Sequence, residues 1–134
     1  MEVWGVDIIV FSVGDLTQAV QYYERMGLKL AFRSDQVGVL VFEIGAESPK
    51  LLLTKEGPIS AGPGAPRLWL EVSDVLAVAQ ELKEKGCRFV REPFQIPTGW
   101  LTEVADPWGN VIGFTDYATQ PEFGRANKRK IEKA

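Results

Sequence analysis

Histidine is absent from this 134-residue chain, and cysteine occurs once, at Cys87. The first absence removes the imidazole ligands of most catalytic zinc, nickel and iron sites, and with them every histidine-dependent serine or cysteine triad. Any metal would have to rest on carboxylates. A lone cysteine forms no internal disulfide, which agrees with a reducing compartment, and Cys87 is expected in the core. No apolar run is long enough to span a membrane, and Glu2 and Asp7 interrupt the N-terminus early, so no signal-peptide pattern is read there. A cytoplasmic protein without a membrane partner is expected. Basic charge is scarce as well: 15 Lys and Arg against 18 Asp and Glu leave a net charge of −3. That balance argues against a nucleic-acid partner and mildly favours cationic ligands. P-loop, G-x-G-x-x-G and G-x-S-x-G patterns are missing too, which weakens nucleotide-binding and hydrolase readings.

What the chain does contain is a diverged copy of itself. Val13-Gly14-Asp15-Leu16 through Arg25-Met26-Gly27 recurs 59 residues later as Val72-Ser73-Asp74-Val75 through Glu84-Lys85-Gly86. In each copy a β-type apolar run leads into V-x-D, a helical stretch follows, and Gly closes it twelve residues after the Asp. Asp15 and Asp74 stand where N-caps belong. Leu16, Ala19, Val20, Tyr23 and Met26 form an apolar helical stripe in one copy, and Val75, Val78, Ala79 and Leu82 do so in the other. Tyr22 and Tyr23 read as helix-packing residues.

Alternation predicts strands at 5–12, 28–33, 37–44 and 50–54 in the first module, the first of them largely buried on both faces, and at 67–72, 87–91, 100–105 and 110–115 in the second. Module one spans 4–54 and module two 67–117. A Gly/Pro-rich linker lies at 55–66, and residues 118–134 form a polar, basic tail. Asp106-Pro107-Trp108-Gly109-Asn110 supplies the backbone angles of a tight turn closing the last hairpin.

Two β-α-β-β-β modules, the V-x-D helix entry, Tyr22-Tyr23 before Gly27-Leu28 and the D-P-x-G-N turn together resemble the vicinal oxygen chelate superfamily over residues 4 to 117. That family includes glyoxalase I, extradiol dioxygenases, methylmalonyl-CoA epimerase, fosfomycin-resistance enzymes and bleomycin-binding proteins. The resemblance implies an α+β fold, in which tandem modules form a cupped, incomplete-barrel mixed sheet with a helix outside each. It also implies a central ligand cavity and a homodimer. Metal-dependent members carry ligands at four strand positions, which the motifs register to Ile8, Leu52, Arg67 and Gly113. None of these is a competent ligand, so neither metal nor cofactor is expected. Ile8, Val10 and Leu52 would instead wall a pocket, with open volume at Gly113.

Arg67, Trp69 and Glu71 alternate with Leu68, Leu70 and Val72, which places the first three on the cavity side. A guanidinium, an indole plane and a carboxylate on one wall could stack a planar ligand and bind charged groups of either sign. The alternative is an Arg67–Glu71 ion pair with Trp69 as core. Trp108, at the turn, suggests a pocket rim or subunit contact, with Trp100 nearby in the same hairpin. Trp4 is assigned to packing. Glu103 and Glu43 could face the cavity as general bases, although solvated sheet faces are the commoner place for such residues, as for Arg33 and Arg91.

These features favour a metal-free binding protein that holds a small aromatic or partly cationic compound for sequestration or resistance. A second reading is a metal-independent isomerase or lyase, with Glu71 or Glu103 as base and Arg67 stabilising an oxyanion. A third is a partner-binding module that uses the basic tail.

Overall fold

Both helices begin and end by the same chemistry, which explains the repeated punctuation of the sequence. The computed structural model describes residues 2, 4, 6–56 and 65–125. In it, Asp15 caps helix α1 (Leu16–Arg25) by accepting the Gln18 N–H at 2.7 Å. Asp74 caps helix α2 (Val75–Glu84) by accepting the Ala77 N–H at 3.2 Å. At the far ends Gly27 and Gly86 adopt left-handed angles, with φ of 91° and 75°. The N–H of Gly27 then reaches the Glu24 carbonyl and that of Leu28 reaches Tyr23. Gly86 to Lys83 and Cys87 to Leu82 repeat the pattern. These paired bonds satisfy carbonyls that the last helical turn leaves open, and only glycine enters the required backbone region cheaply.

The chain divides into two compact units, residues 1–64 with 108–110 and residues 65–107 with 111–134. In the first, β1 (Ile8–Ser12), β2 (Lys29–Ser34), β3 (Val39–Ile44) and β4 (Glu47–Thr54) form a sheet in the order β1-β4-β3-β2. In the second, β5 (Arg67–Glu71), β6 (Arg88–Ile96), β7 (Gly99–Ala105) and β8 (Val111–Thr115) form a sheet in the order β5-β8-β7-β6. The outer pairs β1/β4 and β5/β8 run parallel and all other neighbours run antiparallel. This is the expected α+β architecture of two β-α-β-β-β modules.

One face of each sheet packs on its helix. Phe11, Leu40, Phe42, Leu51 and Leu53 are buried with Ala19 and Tyr23 of α1, whose ring lies 5.8 Å from that of Phe42. Leu68, Val104, Ile112 and Phe114 are buried with Val75, Ala79 and Leu82 of α2. Each large apolar side chain removed from water in this way contributes roughly 1.5–3 kcal/mol. Asp116, almost fully buried, ties the second unit together by accepting the N–H groups of Val75, Trp100 and Ala118.

Several boundaries differ from expectation. Strand β4 begins at Glu47 and β6 runs on to Ile96, so each contains a proline where a loop was expected. Pro49 falls in the register shift of the β3/β4 pairing, before β1 joins at Lys50, and Pro93 falls in the shift between Arg91 and Phe94. At such bulges the missing N–H removes no ladder bond. Strand β1 is shorter than expected and buried only at Phe11, with Val10 54% exposed. Trp4, expected to pack, is 92% exposed, and Cys87 is half-buried. Residues 57–64 of the linker and 126–134 of the tail lie outside the described residues.

Replacing Gly27 or Gly86 with Ala tests the duplicated helix stop. An added Cβ meets nothing within 4 Å at either position, so the cost is that of the backbone angle alone, about 1–2 kcal/mol for each variant in urea unfolding. Variants as stable as the parent chain would contradict the left-handed geometry.

Candidate functional site

The sheet registers align four residues of the second unit in one row. Trp69 on β5 lies beside Gly113 on β8, Gly113 beside Glu103 on β7, and Glu103 beside Arg91 on β6. All four lie on the side away from the buried Leu68, Val104 and Ile112. Because neighbouring strands are about 4.8 Å apart, an indole on β5 reaches β7 only by crossing β8. Gly113 permits that crossing. A Cβ built there would lie 2.5 Å from Trp69 Cδ1. The indole therefore occupies the space the glycine leaves, which corrects the expectation of open volume at this position. Its Nε1–H donates to Glu103 Oε2 at 3.0 Å.

Glu103 is fully buried and supports three donors: Trp69, Arg91 Nη1 at 3.4 Å on Oε1, and Arg67 Nε at 3.5 Å on Oε2. A buried carboxylate without such partners would cost several kcal/mol. Arg91 also lies over the Phe94 ring, 4.1 Å from its centroid. Glu103 therefore does not lie on a solvated face, whereas Arg91 keeps much of its surface in solvent, as expected for it. Facing strand positions in β6 and β7 were the available signal for that pair. Glu71 is not paired with Arg67. Its carboxylate accepts the backbone N–H of Arg125 at 2.9 Å and pairs with that residue's guanidinium. Sequence reasoning missed this contact because the partners are 54 residues apart and no local pattern links them.

In the first unit Ile8, Val10 and Leu52 share the face away from α1. Val10 pairs with Leu52, Leu52 with Val41 and Val41 with Phe32, forming a wholly apolar row in which Val10 and Phe32 are each 54% exposed. Trp108 belongs to this unit and packs over Gly14, where an added Cβ would lie 2.5 Å from its Nε1. Asn110 donates to the Ser12 carbonyl at 2.9 Å. Glu43 is half-buried on β3 opposite Lys29, and Trp100 is half-buried on β7. A polar depression of about 210 Å³ is lined by Asp15, Leu16, Thr17, Arg33, Asp35 and Lys55. Its main charges are already paired: Arg33 Nε bonds Asp35 at 2.6 Å, and that hydrogen bond holds the Asp35 carboxyl below the usual carboxylate range.

The four positions registered from the resemblance carry no metal-ligating side chain. Ile8 and Leu52 offer hydrocarbon, Arg67 only donors, and Gly113 a backbone covered by indole. Among the described residues no three His, Cys, Asp or Glu side chains gather as a metal group. No described helix is long and apolar enough to cross a membrane.

Two β-α-β-β-β units, each with parallel outer strands and a helix on one face, define a paired-module scaffold. The Glyoxalase/Bleomycin resistance protein/Dioxygenase superfamily model matches residues 5–114, and the chain belongs to that family. Among solved structures it is similar to TnmS3, an antibiotic-binding protein from Streptomyces sp. CB03234, at 30% identity and a TM-score of 0.74, covering 88% of this chain and 99% of that one. A glyoxalase/bleomycin resistance protein from the same organism is 29% identical with a TM-score of 0.68, covering 83% and 99% respectively. A protein of Mycolicibacterium smegmatis is 28% identical over 109 residues, covering 81% of this chain and 90% of that protein.

Gly113→Ala tests the crossing of the indole. The new methyl group forces Trp69 off Glu103, so the variant is expected to lose roughly 1–3 kcal/mol of stability and to change its tryptophan emission. An unchanged spectrum and unfolding midpoint would contradict the packing of Trp69 on Gly113.

Proposed function

We infer that this chain is a small-molecule-binding protein of the glyoxalase/bleomycin-resistance type, which holds a planar aromatic compound without a metal and acts by sequestration. The observation that carries the reading is Trp69: its indole remains 49% exposed although its N–H is anchored to a buried carboxylate and its edge rests on a glycine. An aromatic plane fixed in this way and left open to solvent is a stacking surface already ordered before a ligand arrives. Ile8, Val10, Leu52 and Arg67 belong to the same reading as ligand-facing residues of their respective sheets, and Gly113 enters it as the seat of the indole. The antibiotic-binding character of TnmS3 supports it.

A cationic group on the ligand finds less support, because Glu71 and Glu103 are each already occupied by arginine. The same occupancy weighs against an isomerase or lyase, whose base must be presented to substrate. The reading also takes residues 1–117 as one ligand-binding domain, supported by the span of the family match. It includes a cytoplasmic homodimer, in which a second chain would cover apolar surface such as Phe32.

Titration with 1-naphthamide, a neutral planar probe, tests the proposal. Saturable quenching of tryptophan fluorescence is expected, weakened about tenfold or more in Trp69→Ala, as loss of an aromatic contact implies. An identical curve for that variant would remove Trp69 from the site.

A further inference from the structure

The charge around Trp69 is unevenly placed. Glu103 has no exposed surface, whereas the guanidiniums it holds keep much of theirs, 46% for the Arg67 side chain and 44% for Arg91. Both arginines are permanently charged, so two cations face one buried anion and the surplus positive charge lies on the solvent side. Glu71, the other carboxylate on this side of β5, is occupied by Arg125 and does not cancel it.

The donors are also unevenly spent. Arg67 turns Nε toward Glu103 and Arg91 turns Nη1 toward it, each at a distance long for a hydrogen bond. The other N–H groups of both guanidiniums have no acceptor among the described residues. Arg91 is further held in place by the Phe94 ring. Arg67 stands two residues before Trp69 on β5, and Arg91 closes the row that Trp69 opens. An aromatic plane is thus flanked by two oriented cationic forks whose free donors are those that match an oxyanion.

The geometry points to an oxyanion seat beside the stacking plane: the ligand is a planar aromatic acid, with its rings against Trp69 and its carboxylate or ionised phenol on Arg67 and Arg91. This rests on the aromatic-binding reading above and adds the sign of the ligand's charge, opposite to that suggested by the acidity of the whole chain. The buried Glu103 then serves as a positioning residue that aims the two guanidiniums and the indole without touching the ligand.

Three probes of the same shape separate the possibilities in calorimetric titrations of the full chain near neutral pH: 1-naphthoate, 1-naphthamide and 1-naphthylmethylammonium. Naphthoate is expected to bind about tenfold or more tightly than the amide, the value of one charge-assisted contact, with the ammonium weakest. Raising the ionic strength should weaken naphthoate and leave the amide unchanged. Arg67→Gln and Arg91→Gln should each shrink the ratio of naphthoate to amide affinity measured within that variant, and a ratio as large as in the unmodified chain would remove that arginine from the seat. Because the comparison of the three probes uses the unmodified chain, it stands even if a variant does not fold. Equal binding of acid and amide, or preference for the ammonium, overturns the oxyanion seat and leaves the aromatic-binding reading intact. Failure of all three to bind overturns both.

Discussion

The face of the second sheet away from α2 depends on one carboxylate. Glu103 is fully buried, and a buried charge persists only where donors replace the water it has lost. Those donors come from β5 and β6, on either side of the strand pair that carries Glu103 and Gly113. Satisfying the carboxylate therefore fixes an indole and two guanidiniums at once, and all three remain about half exposed. The proposed ligand-binding character would follow from a stability requirement: the groups that neutralise the buried charge are the groups left facing solvent.

The two units show how one scaffold supports two different faces. Trp69, Gly113, Glu103 and Arg91 occupy the same row of the second sheet that Val10, Leu52, Val41 and Phe32 occupy in the first. Val10 and Trp69, like Phe32 and Arg91, are separated by the 59-residue repeat of the sequence. The helix-facing rows stay mainly apolar in both units, and the buried Thr102 among them donates its hydroxyl to the Arg91 carbonyl. Divergence is concentrated on the opposite faces, where a polar network in one unit stands at the positions of hydrocarbon in the other. The exchange of Leu52 for Gly113 matters most, since without it no indole could cross to β7.

Much of this was legible in the sequence. The Asp caps and the glycines twelve residues beyond them mark both helices, because capping and left-handed termination are local effects tied to residue type. Alternation along 67–71 correctly separates Arg67, Trp69 and Glu71 from Leu68 and Leu70. Strand limits at Pro49 and Pro93 were misread because whether a proline breaks a strand depends on its partner across the ladder. The pairing of Glu103 and the capture of Glu71 by Arg125 were hidden for a related reason: a charged strand residue is exposed or buried according to neighbours that the sheet order supplies. Trp4, expected to pack, is exposed, and Trp108 lies over Gly14, a contact that no local pattern announces.

The indole N–H of Trp69 reports on this dependence most directly. In a proton–nitrogen spectrum, with its resonance assigned by loss in Trp69→Phe, the signal should be shifted downfield and protected from solvent exchange. In Glu103→Ala it should move toward the position of a free indole and exchange at the rate of one. A Trp69 signal whose shift and exchange are the same with and without the Glu103 carboxylate would contradict the account.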